Sequence, residues 1–351
     1  MTTPTIVLGA GGYVGAEFLR LIAQHSQLTL VAAVSDQFAG QAITSVFHHL
    51  RDPSLQQAFM ARDAVNELVT SHPTLAVFCA APHGAAAGLL DSLIQTATES
   101  GTQLHIVDAS ADFRFADSEA YAAVYGQPHG APQRLAAFKS AVPELAEIAA
   151  DHHIAHPGCF ATAMQLAMAP LLASNLAEPR FFANGITGAT GAGKTPIATT
   201  HTPERHSNLF AYKPLAHRHA PEVVAHLEAA TDVRPKLHFT PHSGPFSRGI
   251  HMTVNGVARK PVDLTDLQDA VAQYYADADF VRVVDGMPKL KSVVGSNYAD
   301  IGLATDGEAI TACVVIDNLL KGAAGGSMQW MNRLLGFTET DSLEQSAVGW
   351  T

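Results

Sequence analysis

The chain has 351 residues, 47% hydrophobic and 15% charged, which is apolar material for a large core in two domains and too little charge for a long disordered tail. Its formal net charge is −11, from 21 Lys and Arg against 32 Asp and Glu, which argues against nucleic acid or an anionic membrane as the main partner. An anionic small molecule is still admitted, because a site can be positive within an acidic protein.

The N-terminus has no basic region before its first apolar run, and the first cation is Arg20. No apolar run is long enough to span a bilayer, so the expected setting is the cytoplasm. Thr5 to Leu8 forms an apolar strand, GAGGYVG (Gly9 to Gly15) a glycine turn, AEFLRLIAQH a helix and Leu28 to Ser35 the next strand. A strand, glycine turn, helix and strand in that order imply a parallel sheet. Strands recur at Leu75–Ala81 and Leu104–Ser110, with a helix in HGAAAGLLDSLIQTATES between them. The first ~150 residues thus alternate β and α, the pattern of a doubly wound α/β domain. Pro157-Gly158 breaks the chain, and an apolar helix begins at Cys159 or Phe160. Strand-like FFANGIT, KLHFTP, GIHMTVNGVA and FVRVV follow among loops rich in His and Pro, which is an α+β pattern. A last helix is expected over Leu319 to Phe337.

Two glycine loops compete for a nucleotide. GAGGYVG has the context of a dinucleotide turn, whose glycines let the backbone approach a pyrophosphate at a helix N-terminus. Its second strand ends in Ser35-Asp36. The serine leaves room for a 2′-phosphate, whereas Asp36 would repel one. GATGAGKT (Gly188 to Thr195) fits the triphosphate-loop pattern at each defined position. The segment after it, PIATTHTPERHSN, lacks a helical period and carries Pro203, so the triphosphatase reading is set aside. Lys194 would be the lysine such an activity needs.

The three cysteines are too sparse for a disulfide framework or a zinc site, and no metal is expected. Cys79 and Cys313 lie in apolar strands and are expected to be inert. Cys159 stands at the mouth of a helix, where unpaired N–H groups and the positive dipole end favour a thiolate. A nucleophile needs a base, and HRHAPE offers His217, His219 and Glu222 close together.

GAGGYVGAEFLRLI, FCAAPHGAA, VDASADFR, HPGCFATA, TGATGAGKTP, HRHAPE, TPHSGPFSRG and VIDNLLKGAAGGSMQWMN run in order along nearly the whole chain. Together they resemble the N-acetyl-γ-glutamyl-phosphate reductases, the arginine-pathway relatives of aspartate-semialdehyde dehydrogenase. The resemblance implies a Rossmann-type NADP(H) domain at 1–157 plus 322–351, and an α+β catalytic and oligomerisation domain at 158–321. It implies reduction of an acyl phosphate to an aldehyde with release of inorganic phosphate, in a homo-oligomer. By the same resemblance Cys159 is the nucleophile and His219 the proton shuttle, with His217 its rival. Arg114 would hold the leaving phosphate, and Glu222 and Arg248 would bind or orient substrate. Gly9, Gly11, Gly12, Tyr13, Val14, Gly15, Ser35 and Pro82 would line the coenzyme. Gly188, Gly191 and Gly193 would touch its nicotinamide half, with Lys194 toward the substrate. Asn318 would lie near the nicotinamide or the thiol, and Gly322 would let the last helix approach the coenzyme. The same chemistry on an α-aminoadipyl phosphate is the nearest alternative, on aspartyl phosphate a weaker one, and a non-catalytic NADP sensor a more distant one. His156, Lys194 and Asp36 depart from the family's usual residues.

Overall fold

A computed structural model describes residues 2–147, 149 and 151–349. The chain divides into two compact units, one of residues 1–143, 147–157 and 323–344, the other of 144–146, 158–322 and 345–351.

The first unit is built on a parallel sheet. Its strands are β1 (Thr3–Leu8), β2 (Leu28–Val34), β3 (Thr74–Cys79), β4 (Gln103–Asp108), β5 (Phe138–Ser140) and β6 (His153–Ala155), in the order β2-β1-β3-β4-β6-β5. The strands are nearly continuous runs of buried apolar residues, as a parallel sheet covered on both faces requires. Side chains alternate between those faces. Ile6, Val77 and Ile106 share one cluster with Leu90, Leu93 and Ala97 of the helix Ala86–Ser100. Phe78, one residue on from Val77, instead stacks on Phe18 of the helix Tyr13–Ala23 at 4.5 Å.

The chain returns to this unit at its end. The helix Gly325–Leu334 is tied in by Trp330, whose Nε1 donates to the Ala141 carbonyl at 2.9 Å, and by Asn332, bonded to His25 at 2.8 Å. The return differs from the expected 322–351. Residues 345–349 group with the second unit, where the Val348 N–H donates to the Val294 carbonyl.

The second unit holds a mixed seven-stranded sheet. Its strands are β7 (Ala177–Thr187), β8 (Phe210–Ala211), β9 (Lys236–Ser243), β10 (Ile250–Ala258), β11 (Val281–Val283), β12 (Ala299–Thr305) and β13 (Ala309–Ile316). They run in the order β11-β12-β13-β10-β7-β9-β8. The helix Cys159–Ala173 is apolar all round and buried from Phe160 to Leu172, as a central core helix must be. It packs on β10, β13 and the helix His219–Thr231. Its first residue, Cys159, is partly exposed, and its last, Ala173, is exposed. Among the described residues, no helix is long and apolar enough to cross a membrane.

Candidate active site

In the first unit, the glycine turn joins β1 to the helix Tyr13–Ala23. Gly9 has φ +72°, and a Cβ on it would lie 2.5 Å from the Ala80 carbonyl carbon, so torsion and neighbour both demand glycine. Gly11 and Gly15 are packed as tightly, against Ser35 and Ala10. Gly12 differs, because a Cβ there would meet only the Gly9 carbonyl oxygen, at 3.8 Å. Its bareness therefore leaves space on the ligand side of the turn. The helix has no side-chain cap, and its first turn of Tyr13, Val14 and Gly15 holds no acid. Uncapped N–H groups and a positive dipole end suit a pyrophosphate. Ser35 follows β2, and Pro82 lies exposed in the turn after β3. These residues fit a dinucleotide.

In the second unit, Cys159 is the first residue of its helix, and Gly158 is the N-cap. The Gly158 N–H donates to Glu222 Oε1 at 2.7 Å. Glu222 is wholly buried in the first turn of the helix His219–Thr231. The Phe160 ring meets the edges of both imidazoles, His217 at 5.7 Å and His219 at 6.3 Å, and those two rings are 4.6 Å apart. Burial, and then the charge of Cys159, push the Tyr212 phenol well above its ordinary range, which places Tyr212 within the field of the thiol.

The two histidines differ chemically. His217 Nδ1 accepts the His219 backbone N–H at 3.2 Å, so the neutral ring carries its proton on Nε2. Burial first, then the cations Arg218 and Lys213, lower His217 to about 4. At neutral pH His217 is therefore an uncharged donor.

A cavity of about 340 Å³ opens beside these groups. Its walls include Thr187 and Gly188 together with Arg205, Tyr212, Lys213, His217 and Arg218. None of the described lining residues is acidic. Arg205 is buried with its fork spent on Ser243 Oγ and on the carbonyls of Gly244 and Phe246, so it braces the wall. Lys213 and Arg218 are exposed cations. Thr187 is 6% exposed, and its Oγ1 has no hydrogen-bond partner among the described residues. An orphaned hydroxyl facing a cavity with cations on its rim suits an oxyanion.

Residues 5–147 match the family model of a semialdehyde dehydrogenase NAD binding domain, and residues 159–318 that of a semialdehyde dehydrogenase dimerisation domain. An N-acetyl-γ-glutamyl-phosphate reductase of Rhodospirillum rubrum is 39% identical over 350 residues, covering 97% of both chains. One from Methanopyrus kandleri is 37% identical, again over 97% of both. The chain belongs to the N-acetyl-γ-glutamyl-phosphate reductase family. Its fold is shared with aspartate semialdehyde dehydrogenase II of Vibrio cholerae, with a TM-score of 0.69 at 17% identity over 96% of this chain and 99% of that one. The Candida albicans aspartate semialdehyde dehydrogenase solved with NADP gives 0.66 at 13% identity over 96% and 99%.

Within this reductase-family chain, the other residues expected at the site make specific contacts of their own. Arg114 is 5% exposed, and its Nε and Nη2 donate to the carbonyls of His156 and Ala109, both at 2.9 Å. These two bonds steady the backbone at His156 and Ala109. Glu222 is sealed against Gly158 and likewise positions the thiol. Arg248 gives Nε to Asp317 at 2.5 Å. The buried Asn318 donates to Thr190 Oγ1 at 3.0 Å and accepts from the Gly249 N–H at 2.7 Å, fixing the second glycine loop from below. Gly188 is pressed on the Ser247–Arg248 backbone, and Gly193 takes φ +85° in a turn. After Ala189–Ala192, a short 3-10 turn, no long helix begins, so the triphosphate-loop architecture is missing there. Lys194 is exposed and is not part of the cavity wall. A Cβ on Gly322 would lie 2.7 Å from Cys159 Cβ. Sequence reasoning missed Thr187, Arg205, Tyr212, Lys213 and Arg218. The run from Arg205 to Arg218 carries positive φ at Ser207, Lys213 and Leu215, a bent path that no periodicity signals.

Proposed function

We propose that this chain catalyses the NADPH-dependent reductive dephosphorylation of N-acetyl-γ-glutamyl phosphate to N-acetylglutamate 5-semialdehyde. The observation that carries the reading is Cys159 at a helix N-terminus, with its preceding N–H fixed by buried Glu222 and two imidazoles packed on the next residue.

The Cys159 sulfur attacks the acyl carbon, the carbon–oxygen bond to phosphate breaks, and a thioester and inorganic phosphate result. The dipole at the helix mouth stabilises the negative sulfur before attack. NADPH, when bound, supplies the hydride that reduces the thioester carbonyl. The resulting thiohemiacetal loses its hydroxyl proton and expels the Cys159 thiolate, freeing the aldehyde. His219 serves as the proton shuttle. His217, neutral and protonated on Nε2, donates a hydrogen bond to the substrate. Lys213, Arg218 and the Thr187 hydroxyl hold an anionic oxygen group. The working form is a cytoplasmic homo-oligomer, in keeping with the dimerisation-domain match over 159–318.

The reverse reaction tests the reading. Semialdehyde, inorganic phosphate and NADP are expected to give NADPH, with the aminoadipyl and aspartyl analogues slower. Faster oxidation of either analogue would reassign the substrate. A second test uses Thr187→Val. Losing one hydrogen bond to a charged group costs about 1.5–3 kcal/mol, so an anionic substrate's KM should rise about ten- to a hundredfold. Thermal stability should hold, because the hydroxyl bonds nothing within the described chain. An unchanged KM for both semialdehyde and phosphate would exclude Thr187 from the site.

A further inference from the structure

The proposed coenzyme carries a 2′-phosphate, and the residues just after β2 determine whether one is welcome. We infer that Arg62 binds that phosphate and that Asp36 holds Arg62 in position. The inference rests on the reading of GAGGYVG as a dinucleotide turn, and it assigns a selectivity residue that sequence spacing did not single out.

The segment around Met60 runs beside the end of β2. The Met60 N–H donates to the Ala33 carbonyl at 2.8 Å, and the Ser35 N–H donates to the Met60 carbonyl at 2.9 Å. Ser35 lies directly at the glycine turn, because a Cβ on Gly11 would come 2.7 Å from its Oγ. Arg62 is thereby brought to the place where an adenosine ribose would lie after this turn.

Asp36 is the next residue. A free acid here would accept the ribose 2′-hydroxyl and repel a phosphate. Here the acid is engaged: Oδ1 accepts the Arg62 backbone N–H at 2.9 Å, and Oδ2 pairs with Arg62 Nε at 2.9 Å. The carboxylate grips Arg62 by its backbone and by the inner nitrogen of its fork. The outer Nη donors make no hydrogen bond among the described residues, and the side chain is 58% exposed. A guanidinium so held presents two parallel N–H donors, the geometry that suits a phosphate. An exposed pair of this kind contributes little to folding, so its substitution leaves the fold intact. The acid that seemed to oppose NADP is thus the mount for the group that selects it.

Direct binding, without turnover, tests this. Nicotinamide fluorescence titrations with NADPH and NADH are run on the full chain, on Arg62→Ala and on Asp36→Ala. The wild type should bind NADPH at least about tenfold more tightly than NADH, one charge-assisted contact being worth about 1.5–3 kcal/mol. In Arg62→Ala that advantage should collapse to within about threefold through weaker NADPH binding, with NADH unchanged. Asp36→Ala should lower the advantage partially. Retention of the full NADPH advantage by Arg62→Ala overturns the assignment while leaving the coenzyme reading in place. A wild type that binds neither nucleotide overturns both.

Discussion

Cys159→Ser is expected to lose phosphate-dependent oxidation of the semialdehyde by about 10³-fold or more while keeping its affinity for NADPH. The sulfur has two tasks. It must be an anion before attack and a good leaving group when the thiohemiacetal collapses, and an alcohol oxygen does neither well. The substitution preserves the Cβ and its packing, and the backbone that fixes it is untouched: the Gly158 N–H still reaches Glu222, and Phe160 still fills the core. Folding should therefore be unaffected within about 0.5 kcal/mol, the usual scale of a mild change at a partly exposed site. Coenzyme binding should also survive, because the dinucleotide turn Gly9–Gly15 belongs to the other compact unit. Cys79 and Cys313 cannot substitute for the lost thiol. Both are buried in strands, and burial, with Asp108 close by, pushes the Cys79 thiol well up. Turnover within about tenfold of the wild type would remove covalent catalysis by Cys159 from the mechanism.

The sequence carried the first unit well because each of its signals is local. β1, the glycine turn and the helix Tyr13–Ala23 follow from an apolar run, a glycine cluster and a 3.6-residue period, which is why their bounds shifted by only a few residues. Elements whose existence depends on distant pairing were not legible. β5 and β6 are three residues each and are defined by pairing with each other and with β4. β12 contains Gly302, which weakens its pattern, yet a Cβ there would lie 2.3 Å from the Gly286 carbonyl oxygen, so the glycine marks a close backbone approach inside a true strand. The expected helix from Leu319 begins instead as a π-turn over Leu320–Ala324, and no periodicity predicts that widening.

The site divides along the same line. The place of Cys159 at a helix start was legible because Pro-Gly ahead of an apolar run is a local signal. Charged residues were harder, because a cation's role depends on what its donors meet. Arg114 and Arg248 stood in suggestive motifs, and no motif signals that one donates to backbone carbonyls and the other to Asp317. Lys213 stood in an unremarked loop, and Arg218 stood unremarked between the two histidines of HRHAPE; both line the cavity. Asp36 resembled an NAD-type acid until Arg62, 26 positions on, took both its oxygens.

Gly322→Ala should cut kcat by about a hundredfold with no loss of NADPH affinity. The added methyl would stand 2.7 Å from Cys159 Cβ and 3.1 Å from its Cα, closer than carbon atoms tolerate, so one side must move. Neither side gives easily. Behind Cys159 the helix is buried from Phe160 onward and cannot retreat. On the other side, the Gly322 N–H is bonded to the Asp317 carbonyl at 3.0 Å. The Asp317 carboxylate also takes the N–H groups of Leu319, Leu320 and Gly295, and buried Lys321 is locked in an ion pair with Glu144. Overpacking of this kind costs about 1–3 kcal/mol of stability, and the remaining strain displaces the thiol. A misplacement of about 1 Å at a nucleophile is enough for a hundredfold loss in rate. Alkylation by iodoacetamide gives an independent readout, since Cys159 is the one partly exposed thiol among the described residues. Its rate constant should change along with kcat. If Gly322 instead made room for the coenzyme, the pattern would invert: NADPH would bind more weakly, and the alkylation rate of the free enzyme would stay as it was.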